Sequence, residues 1–321
     1  MTEAGRSGEF ERIARLTSIY GKSYPASVAL GIGDDCAVLH ASQSARVWTV
    51  DAAVEGVHFD RHFMRLEDIG YRAFMAAASD VAAMGALADC ALSALILPAS
   101  LGDAELWELA KGTAEAAEHC ACSVAGGNLT RGAQLSITTS VLGHVPTRAV
   151  TRAGACAGNG VYITGVVGAA ALGLRLLQQG SGHAADAPFL QHFLRPKARF
   201  DCAGLLAAVA SASIDVSDGL AQDLGHVARA SQVDLLLELS RIPREEGFAE
   251  AAARAGAVPE ALLLAGGEDY ELAFTAAPEC VPTELATRIG TVALGSGRVL
   301  VQGPDGAALP WQPGFDHFRA P

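Results

Sequence analysis

Apolar residues at helical spacing open the chain. In "SGEFERIARLTSIYG", Phe10, Ile13 and Leu16 fall on one face, which predicts a helix capped by Ser7 and stopped by Gly21. Strands are predicted over 37–40 and 46–51. An alanine-rich stretch over 67–84 predicts a second helix, the run through 87–97 a strand, and "GDAELWELAKGTAEAAEHCA" a third helix begun at Asp103. A short strand then reaches "AGGN", and "QLSITTSVLGHV" alternates as a half-buried strand does.

The periodicity lapses in "VPTRAVTRAGACAGNG", a Pro- and Gly-bearing loop that sets a domain boundary, giving domains of 1–146 and 147–321. Beyond it come the strand "VYITG", the helix "AAALGLRLLQQG", a helix over 197–210 and the strand "ASIDVS". A helix over 218–230 and the strands "VDLLLEL" and "EDYELAFTAA" follow. Strands and helices alternate without a strict βαβ repeat, so the fold class is α+β, a mixed α/β chain, rather than a doubly wound sheet.

Composition narrows the function. Half of the 321 residues are hydrophobic and 18% are charged, enough apolar material for two cores. The balance of 35 acids against 23 Lys and Arg gives a formal charge of -12, which argues against nucleic acid as a partner. An acidic protein still binds an anion when cations bridge the two. The longest apolar run, "ALADCALSALILP", is short and carries Asp89, so no membrane partner is expected. The N-terminus lacks a signal-peptide pattern, and seven scattered cysteines read as reduced core residues of a cytoplasmic protein.

The acids stand in unusual company. Asp34 and Asp35 follow a glycine turn in "GIGDDCAV", and Asp51 closes "RVWTVD". Asp80 lies among small residues in "AAASDVAAMGA". Asp215 and Asp218 bracket Ser217 in "SIDVSDGL", and Glu268 and Asp269 follow Gly-Gly in "LAGGEDYELAF". Singly they read as turn residues, a strand-end cap at Asp51, a buried acid bonded to amides at Asp80 and a helix N-cap at Asp218. Together they resemble oxygen ligands for hard cations, and Mg²⁺ commonly bridges carboxylates to substrate phosphates.

Other site chemistries fit less well. There is no GxxxxGK[ST] P-loop, no GxSxG elbow, and no histidine spacing that suits zinc. "TGVVGAAALG" lacks a full GxGxxG and reads as a tight strand-to-helix turn. His58 in "VEGVHF" reads, by itself, as a partly buried, satisfied histidine.

The motifs "GIGDDCAV", "VDAAVEGVHF", "SDVAAMGA", "AGGNLTRG", "IDVSDGLAQDLGH" and "GGEDYELAFT", with the ending "GFDHFRAP", occur in the order seen in the thiamine-monophosphate kinase family. The resemblance runs from about Gly8 to Pro321. It implies ATP-dependent phosphorylation of thiamine monophosphate to thiamine diphosphate, with ATP as co-substrate and several Mg²⁺ ions. It also implies a homodimer in which the N-terminal domains share a β-barrel and ATP lies between domains. By resemblance, Asp35, Thr49, Asp51, Asp80, Asn128, Asp215 and Asp218 match metal ligands. Gly127, Asn128, Arg152 and Ser217 match groups around ATP; His58, Glu268 and Phe318 match positions that hold the thiamine phosphate. Catalysis then rests on Asp80, Asp215, Asp218 and Arg152.

The chemistry agrees. Two polyanions must be aligned and neutralised, and the attacking phosphate oxygen is already anionic, so no general base is required. A thiazolium over the face of Phe318 gains roughly 0.5–2 kcal/mol, with a C-terminal anchor in the core as the alternative reading of that residue. Three departures stand out: Val50 between Thr49 and Asp51, Asn128 where Asp is common, and Asn159 where a Gly-Asp turn is usual. The alternatives are another ATP-using enzyme of the wider superfamily and a nucleotide-binding regulatory protein without catalysis.

Overall fold

The computed structural model describes residues 8–21, 23–33 and 36–315, which form two compact units. One comprises the chain up to Val81 with Leu87–Pro146; the other comprises Ala82–Ala86 with Thr147–Pro321.

The first unit holds α1 (Glu9–Tyr20), a small hairpin of β1 (Val28–Leu30) and β2 (Val38–Leu39), and a four-stranded sheet with two further helices. The sheet strands are β3 (Arg46–Val54), β4 (Leu87–Pro98), β5 (Ser123–Gly132) and β6 (Ser136–His144), in the order β3-β6-β4-β5. Only the β4–β5 pairing is parallel. In α1 the apolar face covers the later turns alone: Leu16 is buried, Ile13 half-buried, and Phe10 stands 85% exposed. Gly8 precedes that helix and Glu11 accepts its N–H at 3.0 Å; Ser7 lies outside the described residues.

Helices α2 (Leu66–Ala83) and α3 (Asp103–His119) cross with glycine at the contact. A Cβ at Gly70 would run into the Leu109 carbonyl, and one at Gly112 into the Glu67 carbonyl, so the backbones touch as larger side chains would forbid. The Thr113 hydroxyl donates to the Leu109 carbonyl at 3.1 Å beside this crossing. Alternate strand residues such as Ile137, Val141, Leu95 and Leu97 are buried. The other face is open and apolar, with Trp48 74% and Val50 62% exposed, and Leu92 and Ile96 exposed beyond them.

The second unit is built on a seven-stranded mixed sheet, ordered β13-β12-β9-β11-β7-β10-β8. Its strands are β7 (Gly160–Ile163), β8 (Ala210–Asp215), β9 (Val233–Glu238), β10 (Leu272–Ala276), β11 (Thr287–Leu294), β12 (Val299–Gln302) and β13 (Ala308–Leu309). Helices α4 (Ala169–Gln178), α7 (Leu220–Ser231), α8 (Phe248–Arg254) and α9 (Pro259–Ala265) contribute to the larger apolar cluster. On the opposite face α6 (Phe200–Val209) joins a cluster in which Tyr162 stacks on Phe274 with centroids 5.4 Å apart. Helix α5 (Ala187–Leu194) brings Phe189 into the larger cluster. Being covered on both faces, β10 is buried throughout.

All seven cysteines are free thiols, but Cys36, Cys156 and Cys280 are exposed, so only four are buried as a core reading expects. Among the described residues no helix is long and apolar enough to cross a membrane.

Candidate active site

Alternation along β3 puts Thr49 and Asp51 on one face and Trp48, Val50 and Ala52 on the other. The Thr49 hydroxyl donates to Asp80 Oδ2 at 2.5 Å. Asp80 sits at the C-terminal end of α2, where the negative end of the helix dipole disfavours a carboxylate, and the last turn of α2 holds no basic residue. This charge arrangement suits a cation. Because Val50 points to the open face, a hydroxyl there would not join Thr49 and Asp51, and its departure from the family pattern removes nothing from this group.

Cross-strand pairing sets Asp51, Thr139, Ser93 and Gly127 in one row. At Gly127 a Cβ would collide with the Ser93 carbonyl. Asn128 falls in the neighbouring row with Ala52, Thr138 and Ala94. Thr49 and Asp80 therefore meet, with Asp51 two residues further on along the same strand face. His58 follows β3 in a turn, half-buried, and its Nδ1 accepts the Val54 N–H at 3.1 Å, leaving Nε2 to carry the proton of the neutral ring.

In the second unit the buried Asp215 ends β8, and Ser217 and Asp218 follow in a tight turn. Helix α7 begins at Leu220, so Asp218 is not its N-cap as the sequence suggests. Asp223 does the work instead: its Oδ2 accepts the N–H groups of Ser217, Asp218 and Gly219 at 3.0, 3.1 and 3.1 Å. Burial, then the charges of Asp215 and Asp218, push the Asp223 carboxyl up to about 8. Three acids thus crowd one turn, and the N–H donors that would otherwise cradle a phosphate are committed to Asp223.

Glu268 and Tyr270 both adopt left-handed backbone, with φ of 66° and 53°. The Glu268 N–H donates to the Ser217 carbonyl at 2.7 Å and Tyr270 N–H to the Val216 carbonyl at 2.9 Å, binding this loop to the acidic turn. Gly267 permits the contact, since a Cβ there would strike the Ser217 carbonyl. Between them, buried Asp269 accepts N–H bonds from Gly168 at 2.7 Å and Ala170 at 3.0 Å. Burial raises its carboxyl to about 7. The turn in "TGVVGAAALG" is therefore filled by the protein's own carboxylate.

Arg152 is exposed, and its carbonyl accepts the Ser231 hydroxyl at 3.1 Å, which ties it to the end of α7. Asn159 serves a turn, its side-chain oxygen accepting from Cys156 N–H at 3.2 Å and the Ser211 hydroxyl at 2.7 Å. Asp35 and Phe318 lie outside the described residues. Among the described residues no three His, Cys, Asp or Glu side chains are grouped to hold a metal by themselves. Mg²⁺ rarely needs such a cage, taking one or two carboxylates with waters and substrate phosphates, so these sparse oxygen donors fit it. Asp223 goes unnoticed in the sequence, and Asp269, singled out there as an oxygen donor for cations, binds backbone amides instead, because an acid bonded to amides looks like any other acid.

Residues 33–145 match the AIR synthase related protein, N-terminal domain. The thiamine-monophosphate kinase of Escherichia coli K12 is 35% identical over 332 residues, covering 98% of this chain and 99% of that protein. The solved structure of AaThiL complexed with AMPPCP and TMP is 31% identical with a TM-score of 0.81, covering 99% of this chain and all of that one. A thiamine-monophosphate kinase structure from Stenotrophomonas maltophilia K279a is 34% identical with a TM-score of 0.82, covering 94% and 98% of the two chains.

Proposed function

The chain belongs to the thiamine-monophosphate kinase family, and on that premise we propose that it transfers the terminal phosphate of ATP to thiamine monophosphate. An anionic oxygen of the acceptor's phosphate attacks the γ-phosphorus in line, the bond to the β–γ bridging oxygen breaks, and ADP leaves with thiamine diphosphate as product. The observation that carries this reading is the acidic turn at Asp215–Asp218. With its amides committed to Asp223, the turn suits phosphates reached through cations rather than by a P-loop.

Thr49, Asp51 and Asp80 would hold Mg²⁺, as would Asp215 and Asp218, with Asp35 and Asn128 adding oxygens. When bound, Mg²⁺ neutralises charge on the phosphates. Gly127 and Ser217 line the nucleotide, and Arg152 spreads charge on its phosphates with a planar guanidinium. His58, Glu268 and Phe318 hold the acceptor, Phe318 offering its ring to the thiazolium. Asp80, Asp215, Asp218 and Arg152 act by fixing charge and alignment.

The open face of the four-stranded sheet, with Trp48, Val50, Leu92 and Ile96, is apolar enough to pair with a second copy, and we assign it to a homodimer that closes a shared barrel. Seven free thiols suit a reducing, cytoplasmic compartment. The test is direct: purified protein with ATP, Mg²⁺ and thiamine monophosphate, read for thiamine diphosphate by fluorescence after oxidation. Product formation is expected, and its absence with nucleotide bound would sink the kinase reading.

A further inference from the structure

The C-terminal segment is fastened to the acidic turn. Trp311 packs on the larger core and donates Nε1–H to the Val299 carbonyl at 3.1 Å, and prolines at 310 and 313 restrict the chain around it. The next residues cross the turn at close range. A Cβ at Gly314 would collide with the Asp218 carbonyl, and Phe315 N–H donates to that same oxygen at 3.1 Å. From the first turns of α7, Gln222 Nε2 donates to the Phe315 carbonyl at 3.0 Å and lies 3.5 Å from Asp218 Oδ2. Both neighbours are acceptors, so the amide can face them only with its nitrogen.

We propose that Gln222 is a positioning residue for the acceptor: its side-chain amide ties the C-terminal segment at Phe315 to the turn that carries Ser217 and Asp218. The proposal rests on the kinase reading. The same turn accepts Glu268 N–H at the Ser217 carbonyl, so one short stretch of backbone anchors the loop with Glu268 and the segment leading to Phe318. The bond to the Phe315 carbonyl bears on the acceptor side, while the turn that serves nucleotide and metal stays held by the three bonds to Asp223. Gln222 touches neither substrate in this scheme and works only through Phe315 and Asp218.

Gln222→Met keeps the length and helix-forming character of the side chain but donates to neither oxygen and adds no charge beside Asp218. It is expected to raise the KM for thiamine monophosphate about fivefold or more, the scale of one lost hydrogen bond, with the KM for ATP and the thermal midpoint little changed. Backbone hydrogen exchange at the C-terminal peptide containing Phe315 should quicken. Gly314→Ala, which lifts the segment from Asp218 directly, should produce the same shift, and the double variant should add little to either. Normal product formation with an unmoved acceptor KM and unmoved exchange in Gln222→Met overturns the tie alone. Equal rises in both KM values also overturn it. An unaltered protein that makes no product overturns the kinase reading and the acceptor role with it.

Discussion

Thr49 and Asp80 meet between a strand and a helix, the hydroxyl donating to Asp80 Oδ2 at 2.5 Å. That bond orients a carboxylate at the wrong end of a helix dipole, where it is uncomfortable without a cation. Asp80→Ala should therefore cut kcat about 10²-fold or more while leaving the thermal midpoint unchanged or slightly higher. Asp215→Ala should match it in kcat. Thr49→Val, which removes only the orienting donor, should cost about tenfold, roughly one hydrogen bond's share. A folded Asp80→Ala protein with near-normal turnover would make that acid structural.

Asn128 offers a neutral oxygen from the row next to that of Asp51. Asn128→Asp should lower the Mg²⁺ concentration for half-maximal rate by about two- to fivefold, since hard cations respond to ligand charge, with little effect on the acceptor's KM. Titration of free Mg²⁺ at constant MgATP measures it. An unchanged curve would place the side chain away from any metal.

Stability should fall as pH rises through the neutral range. Burial lifts Asp269 from the ordinary 3.8 to about 7, so the folded state holds a proton that the unfolded chain has released. The stabilisation is complete below the ordinary value and disappears as pH rises through about 7. Asp269→Asn should flatten the thermal midpoint between pH 5 and 8 relative to the unaltered protein, leaving the part due to Asp223, whose carboxyl is near 8. An identical slope in both proteins would show that Asp269 titrates as an ordinary acid.

Asp234 runs the other way. Arg298 donates to its Oδ2 at 2.6 Å, and the Ser296 and Arg298 N–H groups donate to Oδ1, all holding the carboxyl well below its usual range. The stabilisation is present above 3.8 and is lost only as pH falls through that depressed value. Asp234→Asn should lower the thermal midpoint at pH 7, and the gap to the unaltered protein should close in strong acid. A constant gap would mean that the charge contributes nothing.

On the proposed pairing of the open sheet face, the unaltered protein should run as a dimer in light scattering after gel filtration and Trp48→Asp as a monomer. A charge at the centre of an apolar contact is left unpaired and dehydrated. A variant that stays dimeric would move the interface elsewhere.

Long elements were legible because their periods persist: α3 starts at Asp103 as expected, and β6 alternates over nine residues. Helices α5, α8 and α9 escaped because "APFLQHFL", "FAEAAAR" and "PEALLLA" span two turns or so, too short for a periodic face to register. Strands β12 and β13 are shorter still and are ordered by their neighbours. Within the site, the acids were visible as motif letters. Which of them faces a ligand and which holds backbone was not, because Asp218 and Asp223 differ only in three-dimensional surroundings. The same limit misplaced the cap of α7.

The glycine crossing of α2 and α3 works as a fulcrum. Gly70 lies ten residues before Asp80, roughly 15 Å along the helix axis, so a small tilt at one end is a large excursion at the other. A single methyl group at Gly70 would pry the two backbones apart and swing Asp80 away from Thr49 without touching either. The alignment of the phosphates would then be lost from a position that no inspection of the site would suspect.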